Sequence, residues 1–198
     1  MKVAIVDYGA GNLYSLARAV TATGAEPVVT SDIAAALECE ALLLPGVGAF
    51  AGAAKFLQPH GSRIRAALAD GLPCLGICLG MQLLFESSEE GPGDGIGALS
   101  GSVRRLDAQR VPQMGWNELD DVIDPLIRTT GLATAYFANS YVCEPADSSI
   151  VTAWATHESD RFAAAVRRGN IVGVQFHPEK SSVAGLSFIG SFLSGIRR

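Results

Sequence analysis

The segment Pro73-Cys74-Leu75-Gly76-Ile77-Cys78-Leu79-Gly80-Met81-Gln82 decides how the remaining residues are to be read. Its first half is a short apolar run that passes through glycines into a helix-forming stretch around Leu79 to Gln82. A strand buried on both faces looks like this where it feeds a helix in a parallel sheet. Gly76 and Gly80 flank Cys78 with the glycine spacing of a nucleophile elbow, with cysteine in the place of serine. Such a turn holds the nucleophile exposed and strained, and the small flanking residues let neighbouring backbone approach. A thiol at the start of a helix is also drawn towards thiolate, because free amide N–H groups and the helix dipole favour negative charge. Free cysteine is more often a small buried hydrophobe, and Cys39, Cys74 and Cys143 read that way. The glycine frame sets Cys78 apart.

Upstream, Val3 to Val6 is another continuous apolar run, ending at Asp7-Tyr8-Gly9-Ala10-Gly11-Asn12. A helix follows with Leu13, Leu16, Ala17 and Val20 on one stripe and Gly24 as its stop. Pro27 to Thr30 reads as a strand, Ser31 or Asp32 as the cap of a short helix through Leu37, and Ala41 to Leu44 as a third buried strand. Ile64, Ala67 and Leu68 mark a helix closed by Gly71. Strands alternating with helices predict an α/β fold of three layers, a mainly parallel central sheet flanked by helices. Downstream, Ala135 to Val142, Ile150 to Thr156, Phe162 to Arg167 and Ile171 to Phe176 read as successive strands with short connections. That pattern predicts an antiparallel extension of the sheet in the C-terminal half. Ile189, Phe192, Leu193 and Ile196 place a last helix, and Gly91 to Gly97 forms a surface loop rather than a linker.

The 198 residues suffice for one domain, 1–198, with a substantial core. Apolar residues make up 48% and charged residues 18%, a balance that excludes a disordered chain. The net charge of −5 is spread along the sequence, with no basic stripe suited to nucleic acid or an anionic membrane. Lys2 and Asp7 bracket too short an apolar run for a secretory signal or a membrane helix, and the cysteines lack metal-site or disulfide-scaffold spacing. A cytoplasmic protein without metal or organic cofactor is expected.

A thiolate nucleophile needs a base that later protonates the leaving amine, and a group that orients the base. Of the 3 histidines, His60 and His157 lie in polar stretches and read as solvated. His177 directly follows the apolar run Ile171 to Phe176, at the edge where open α/β sheets place their sites. Glu179 lies two residues on, able to accept from the imidazole, although a structural His–Glu pair has the same spacing. Pro45-Gly46-Val47-Gly48 also follows a buried strand, and its glycines suit backbone amides aimed at a ligand, as in an oxyanion hole.

Together these segments resemble the class I (triad) glutamine amidotransferases, most closely the glutaminase subunits of imidazole glycerol phosphate synthases. The resemblance runs nearly end to end, through Asp7 to Leu13, Pro45 to Phe50, Gly76 to Leu83, Ser88-Glu89-Glu90, Met114-Gly115-Trp116-Asn117, Asn139-Ser140-Tyr141 and Gln175 to Ser181. It implies a flavodoxin-like sheet and a triad in which Cys78 attacks the glutamine amide, His177 is the acid and base, and Glu179 orients it. It implies an oxyanion hole from the backbone of Leu79 and of the Val47–Gly48 loop, the loop taking its active geometry only with a partner engaged. Gln82, Glu90, Ser140 and Tyr141 fall where the family contacts glutamine. The implied partner is a cyclase subunit with a (β/α) barrel that receives ammonia through an internal channel in a heterodimer, contacted by Trp116, Asn117 and Tyr136.

Two positions depart from the family. It often has histidine before Met-Gly-Trp-Asn, where this chain has Gln113, which reads as a variation on the partner surface. It usually has His-Ser-Tyr where this chain has Asn139-Ser140-Tyr141, nearer the expected pocket, and asparagine can donate a hydrogen bond but carries no charge. Three other readings stay open: an amidotransferase subunit with another acceptor, a stand-alone cysteine hydrolase of γ-glutamyl bonds, and a pseudoenzyme that only stabilises a complex. The first differs in the partner encoded beside it, and the second in being active without any partner.

Overall fold

The computed structural model describes residues 1–9, 13–46 and 48–196. Ala10, Gly11 and Asn12 of the opening motif and Val47 of the glycine loop lie outside the described residues. The first half alternates as its sequence predicts, with α3 as an additional helix that it did not: β1 (Lys2–Val6), α1 (Tyr14–Ala22), β2 (Glu26–Thr30), α2 (Ile33–Leu37), β3 (Ala41–Leu44), α3 (Phe50–Leu57), α4 (Gly61–Ala69), β4 (Cys74–Ile77) and α5 (Leu79–Gln82). The second half adds β5 (Ser87–Ser88), β6 (Gly101–Arg105), β7 (Gln113–Glu118), α6 (Pro125–Thr130), β8 (Thr134–Asn139), β9 (Tyr141–Pro145), β10 (Val151–His157), β11 (Asp160–Arg168), β12 (Ile171–Val174) and α7 (Ser182–Ile196).

Seven strands form the main sheet in the order β10-β11-β12-β4-β3-β1-β2. From β2 to β12 all pairs are parallel, and β11 and β10 extend the edge antiparallel. β3, β4 and β12 are buried at every position, as apolar runs covered on both faces should be. Side chains alternate between two cores. Val3, Ile5, Leu43 and Leu75 join Leu16 and Val20 of α1 and Phe188 and Ile189 of α7 on one face. Ala4, Val6, Leu42 and Leu44 join Ile33 of α2, Phe50 and Leu57 of α3 and Ile64 of α4 on the other. These are the three predicted layers.

Local signals explain the helix ends. Asp32 caps α2 by accepting from the N–H groups of Ala34 and Ala35. Asp124 caps α6 in the same way, Pro125 opens it, and Gly131 closes it in the left-handed region.

The strand expected over Ala135 to Val142 is two strands in two different sheets. β8 pairs antiparallel with β7 in a two-stranded ribbon, whereas β9 joins β6 and β5. Ser140 sits at the changeover, and the apolar run on either side hides it. Phe176, expected to end the last strand, lies beyond β12, which stops at Val174. His157 is not a solvated loop residue: it ends β10, half-buried, with Nε2 2.8 Å from the Arg110 carbonyl.

Phe162, Phe137, Phe176 and Phe188 meet edge to face in a row at 5.9–6.0 Å between ring centroids. Each is buried, contributing about 1.5–3 kcal/mol by removal from water. The row ties β8 to the chain leaving β12 and so fixes the ribbon over the carboxyl edge of the sheet.

Candidate active site

β3, β4 and β12 all deliver their carboxyl ends to one edge of the sheet. There β3 runs into Pro45 and Gly46, β4 into Cys78, and β12 into the segment leading to His177.

Cys78 has φ +48° and ψ −107°, a conformation unfavourable for any side chain with a Cβ. The surroundings hold it there. Its N–H donates to the Val174 carbonyl at 2.7 Å, and its carbonyl accepts from the Gln82 N–H at 3.1 Å. Gly76 and Gly80 are required sterically: a Cβ on Gly76 would meet the Gly80 carbonyl oxygen at 2.7 Å, and one on Gly80 would meet the Leu44 carbonyl oxygen at 1.9 Å. The elbow is therefore a close contact between two strand exits and cannot be rebuilt with larger residues. The helix it opens, α5, lies at the expected place and is one turn long, Leu79–Gln82. A helix this short has little macrodipole, so the local environment of the sulfur carries more weight.

His177 is buried, with Nδ1 2.9 Å from Glu179 Oε1. Burial opposes its charge, but hydrogen bonds to Cys78 and Glu179, together with their negative charges, push its pKa up from 6.5 to about 9. The imidazole is thus biased towards the protonated state, as an acid for a leaving amine requires. Its backbone is held from both sides: the His177 N–H donates to the Tyr136 carbonyl at 2.8 Å, and the buried Ser181 hydroxyl donates to the His177 carbonyl at 2.7 Å. The same hydroxyl accepts from the Tyr136 N–H at 2.9 Å. Ser181 thereby clamps the ribbon to the histidine turn, a role the sequence signalled only through its place after Lys180.

Cys78, Leu79, Gln82, Glu90, Ser140 and Tyr141 line one cavity of about 200 Å³ with Gly46, Gly48, Ala138 and Asn139. The structure thus brings together the elbow, the described part of the glycine loop and all the residues expected to contact substrate. Leu79 opens α5, where an N–H has no intrahelical acceptor, and Gly48 holds φ +111° beside it. A Cβ on Gly46 would lie within 3.0 Å of Ile77 O, Cys78 Cβ and His177 Cε1, so the loop starts pressed between nucleophile and base. Two side chains pin the loop: the buried Tyr8 hydroxyl donates to the Pro45 carbonyl, and Glu90 Oε2 accepts from the Phe50 N–H at 3.2 Å. Tyr8 was not among the expected site residues.

The other cysteines are buried and free. Burial raises the Cys74 thiol to about 12 and the Cys143 thiol well above its usual range, the latter helped by nearby Cys78, so neither is a nucleophile.

Trp116 and Tyr136 face each other across the ribbon, ring centroids 6.3 Å apart, with the Lys180 ammonium 5.9 Å from the Tyr136 ring. Met114 is 68% exposed and Trp116 57%. Asn117 is different: its Nδ2 donates to the Thr156 carbonyl at 2.9 Å and its Oδ1 accepts from the Glu118 N–H, fastening the ribbon to β10. Gln113, expected on the partner surface, is buried instead, directly across the ribbon from Asn139. Gln113 Oε1 and Asn139 Oδ1 are both buried without a hydrogen-bond partner.

The family described as "Glutamine amidotransferase class-I" matches residues 4–192. Imidazole glycerol phosphate synthase subunit HisH of Microcystis aeruginosa is 40% identical over 204 residues, covering 99% of this chain and 96% of that protein. The subunit of the same name in a Cyanothece species is 43% identical over 203 residues, covering 98% and 96%. Among solved structures, a glutamine amidotransferase crystal structure superposes with TM-score 0.77 at 20% identity over 99% of each chain. A chain in the structure of PurLQS from Thermotoga maritima superposes with TM-score 0.70 at 20% identity over 98% of each. At those identities the structures speak for the fold alone. No helix among the described residues is long and apolar enough to cross a membrane.

Proposed function

This chain belongs to the class I glutamine amidotransferase family, and we propose that it is the glutaminase subunit of an imidazole glycerol phosphate synthase. It hydrolyses glutamine with Cys78, His177 and Glu179 and passes ammonia to a cyclase subunit. The observation that carries this reading is the strained Cys78 elbow, which lines an open polar cavity, beside a buried His177–Glu179 pair. The relatives named as synthase subunits, similar over nearly their whole length, supply the acceptor.

The Cys78 sulfur, as thiolate, attacks the side-chain carbonyl carbon of glutamine. The oxyanion that forms is held by the Leu79 N–H and an amide of the Val47–Gly48 loop, donors each contributing roughly 3 kcal/mol in comparable sites. His177 gives its proton to the departing nitrogen, ammonia leaves, and a γ-glutamyl thioester remains on Cys78. Water then attacks the thioester, His177 takes its proton, and glutamate departs as the thiolate is restored. Glu179 keeps Nδ1 protonated and the ring aimed throughout. Gln82, Glu90, Ser140 and Tyr141 close the cavity around the amino-acid end of the substrate.

Ammonia loses its reactivity if protonated in bulk water, so a partner sealing this edge fits the chemistry. Met114, Trp116 and Tyr136 offer an aromatic and thioether surface beside the site, the composition favoured at interface cores. The partner is a (β/α)-barrel cyclase forming a heterodimer with the single domain 1–198.

The test is glutamine hydrolysis by the chain alone, then with a cyclase subunit and its nucleotide ligand, with Cys78→Ala as control. Stimulation by the cyclase that vanishes in the alanine variant supports the proposal. High activity of the chain alone would point to a stand-alone hydrolase. Hydrolysis unaffected by the cyclase would reassign the acceptor.

A further inference from the structure

One buried side chain touches the reacting sulfur and has no part in the triad. Gln175 is fully buried, and its Nε2 lies 3.4 Å from Cys78 Sγ. Its backbone is fixed by donation to the Ala164 carbonyl at 2.9 Å.

An amide can present either oxygen or nitrogen to a neighbour, so what fixes its orientation matters. Here the neighbours decide it. The Tyr141 carbonyl can only accept, and Gln82 Nε2 donates to it at 3.0 Å. The same nitrogen lies 3.3 Å from Gln175 Oε1, which must therefore be the accepting end of that amide. With its oxygen committed to Gln82, Gln175 turns its nitrogen to the sulfur. The polarity of the relay is thus set by a backbone carbonyl at its far end, which also accepts from Asn139 Nδ2 at 3.2 Å.

We propose that Gln175 is a further catalytic residue, donating from its side-chain amide to the Cys78 thiolate and holding the sulfur in position for attack. The role deepens the glutaminase reading above and rests on Cys78 being the nucleophile, but not on the identity of the acceptor. A hydrogen bond to an ionised sulfur is charge-assisted, stronger than one to a neutral thiol, so the contact favours the reactive form. It also answers a need of this fold, because α5 is one turn long and provides little dipole for the same purpose. Gln82 then acts twice, lining the substrate cavity and orienting Gln175 from behind.

The experiment follows Cys78 itself: the rate of alkylation by iodoacetamide from pH 5 to 10 in the intact chain, with Cys78→Ala as blank to subtract any reaction of Cys39, Cys74 and Cys143. In Gln175→Leu, a variant of similar volume, alkylation at pH 7 is expected to fall about tenfold and the profile to move about one unit to higher pH. Gln82→Leu, which frees the Gln175 amide to turn, is expected to move the profile in the same direction by less. Glutamine hydrolysis by Gln175→Leu is expected to lose kcat with KM little changed. Gln175→Met covers the case in which leucine does not fold. Profiles that overlay the wild type in folded Gln175 and Gln82 variants would overturn the proposal, leaving Gln175 a packing residue. If wild-type Cys78 alkylates readily yet no glutamine is hydrolysed even with the cyclase and its nucleotide ligand present, the glutaminase reading fails instead.

Discussion

At Cys78 the backbone is confined from every side, whereas the β7–β8 ribbon that completes the same cavity hangs off the main sheet by a few specific bonds. The elbow has carbonyl oxygens packed against Gly76 and Gly80 and lies between strands buried at every position. The ribbon is two-stranded, exposes Met114 and Trp116, and keeps two unpartnered carbonyl oxygens inside. An isolated two-stranded ribbon is at best marginal in water. This one is held by Ser181, by the phenylalanine row and by Asn117. The nucleophile thus sits where the fold cannot yield, and the exposed wall of the same cavity where it can.

The largest effect expected from this contrast is at Gly80. In Gly80→Ala the new Cβ would stand 1.9 Å from the Leu44 carbonyl oxygen, so β3 and β4 must separate at the site. Several kcal/mol of destabilisation and loss of hydrolysis are expected, read by denaturant unfolding and by activity. The ribbon counterpart is Gly115→Ala, where φ is +130° but no atom lies within 4 Å of the added Cβ. Only backbone strain opposes it, about 1–3 kcal/mol. Equal losses in both variants would break the contrast between a wedged elbow and a tolerant ribbon.

Next in size is the base. Glu179→Gln keeps the shape but removes the charge and allows the wrong imidazole tautomer, so kcat is expected to fall about 10³-fold or more. The same variant tests the charge state of His177. Its folded pKa, raised to about 9, exceeds the unfolded value near 6.5, so the protonated form is the one that folding favours. That stabilisation is complete below about pH 6.5 and is lost as pH rises through about 9. Cys74 and Cys143, raised by burial, also cost stability at high pH, so the quantity to compare is wild type minus Glu179→Gln. The difference is expected to shrink between pH 6.5 and 9.5 in denaturant titrations. A constant difference would mean that His177 is neutral in the resting fold.

The same contrast governs what the sequence could reveal. β1, β3, β4 and β12 were legible because burial on both faces demands unbroken apolar runs, and the elbow because its glycines are steric necessities. β6 and β7 were not, since Gly101–Arg105 buries only Val103 and Gln113–Glu118 buries only Gln113. A strand defined by its partner rather than by an apolar face leaves little periodic trace. The switch of sheets at Ser140 was hidden for a different reason, since strand-forming residues lie on both sides of the short polar pair Asn139-Ser140 and read as one strand. The residues proposed as the triad stand out at strand ends, but Gln175 could not be assigned to the sulfur: the contact joins residues 97 positions apart, and a lone glutamine in an apolar run was its only trace.

The smallest expected effect lies inside the ribbon and has the opposite sign from the others. Gln113 and Asn139 face each other across β7 and β8, each with a buried carbonyl oxygen that accepts nothing. An unmet buried acceptor costs about 1–3 kcal/mol, whereas an apolar group of the same shape carries no such penalty. Gln113→Leu is therefore expected to stabilise the isolated chain by up to about 1 kcal/mol, seen as a higher denaturant midpoint with an unchanged m-value. Hydrolysis should change little, because Gln113 does not line the cavity. Asn139→Leu also removes an orphan, but it deletes the donation to the Tyr141 carbonyl and intrudes on the cavity wall, so it should raise KM while leaving stability near neutral. If Gln113→Leu instead destabilises the chain by more than about 1 kcal/mol, the two amides are satisfying each other or an internal water. The ribbon would then be as tightly specified as the elbow.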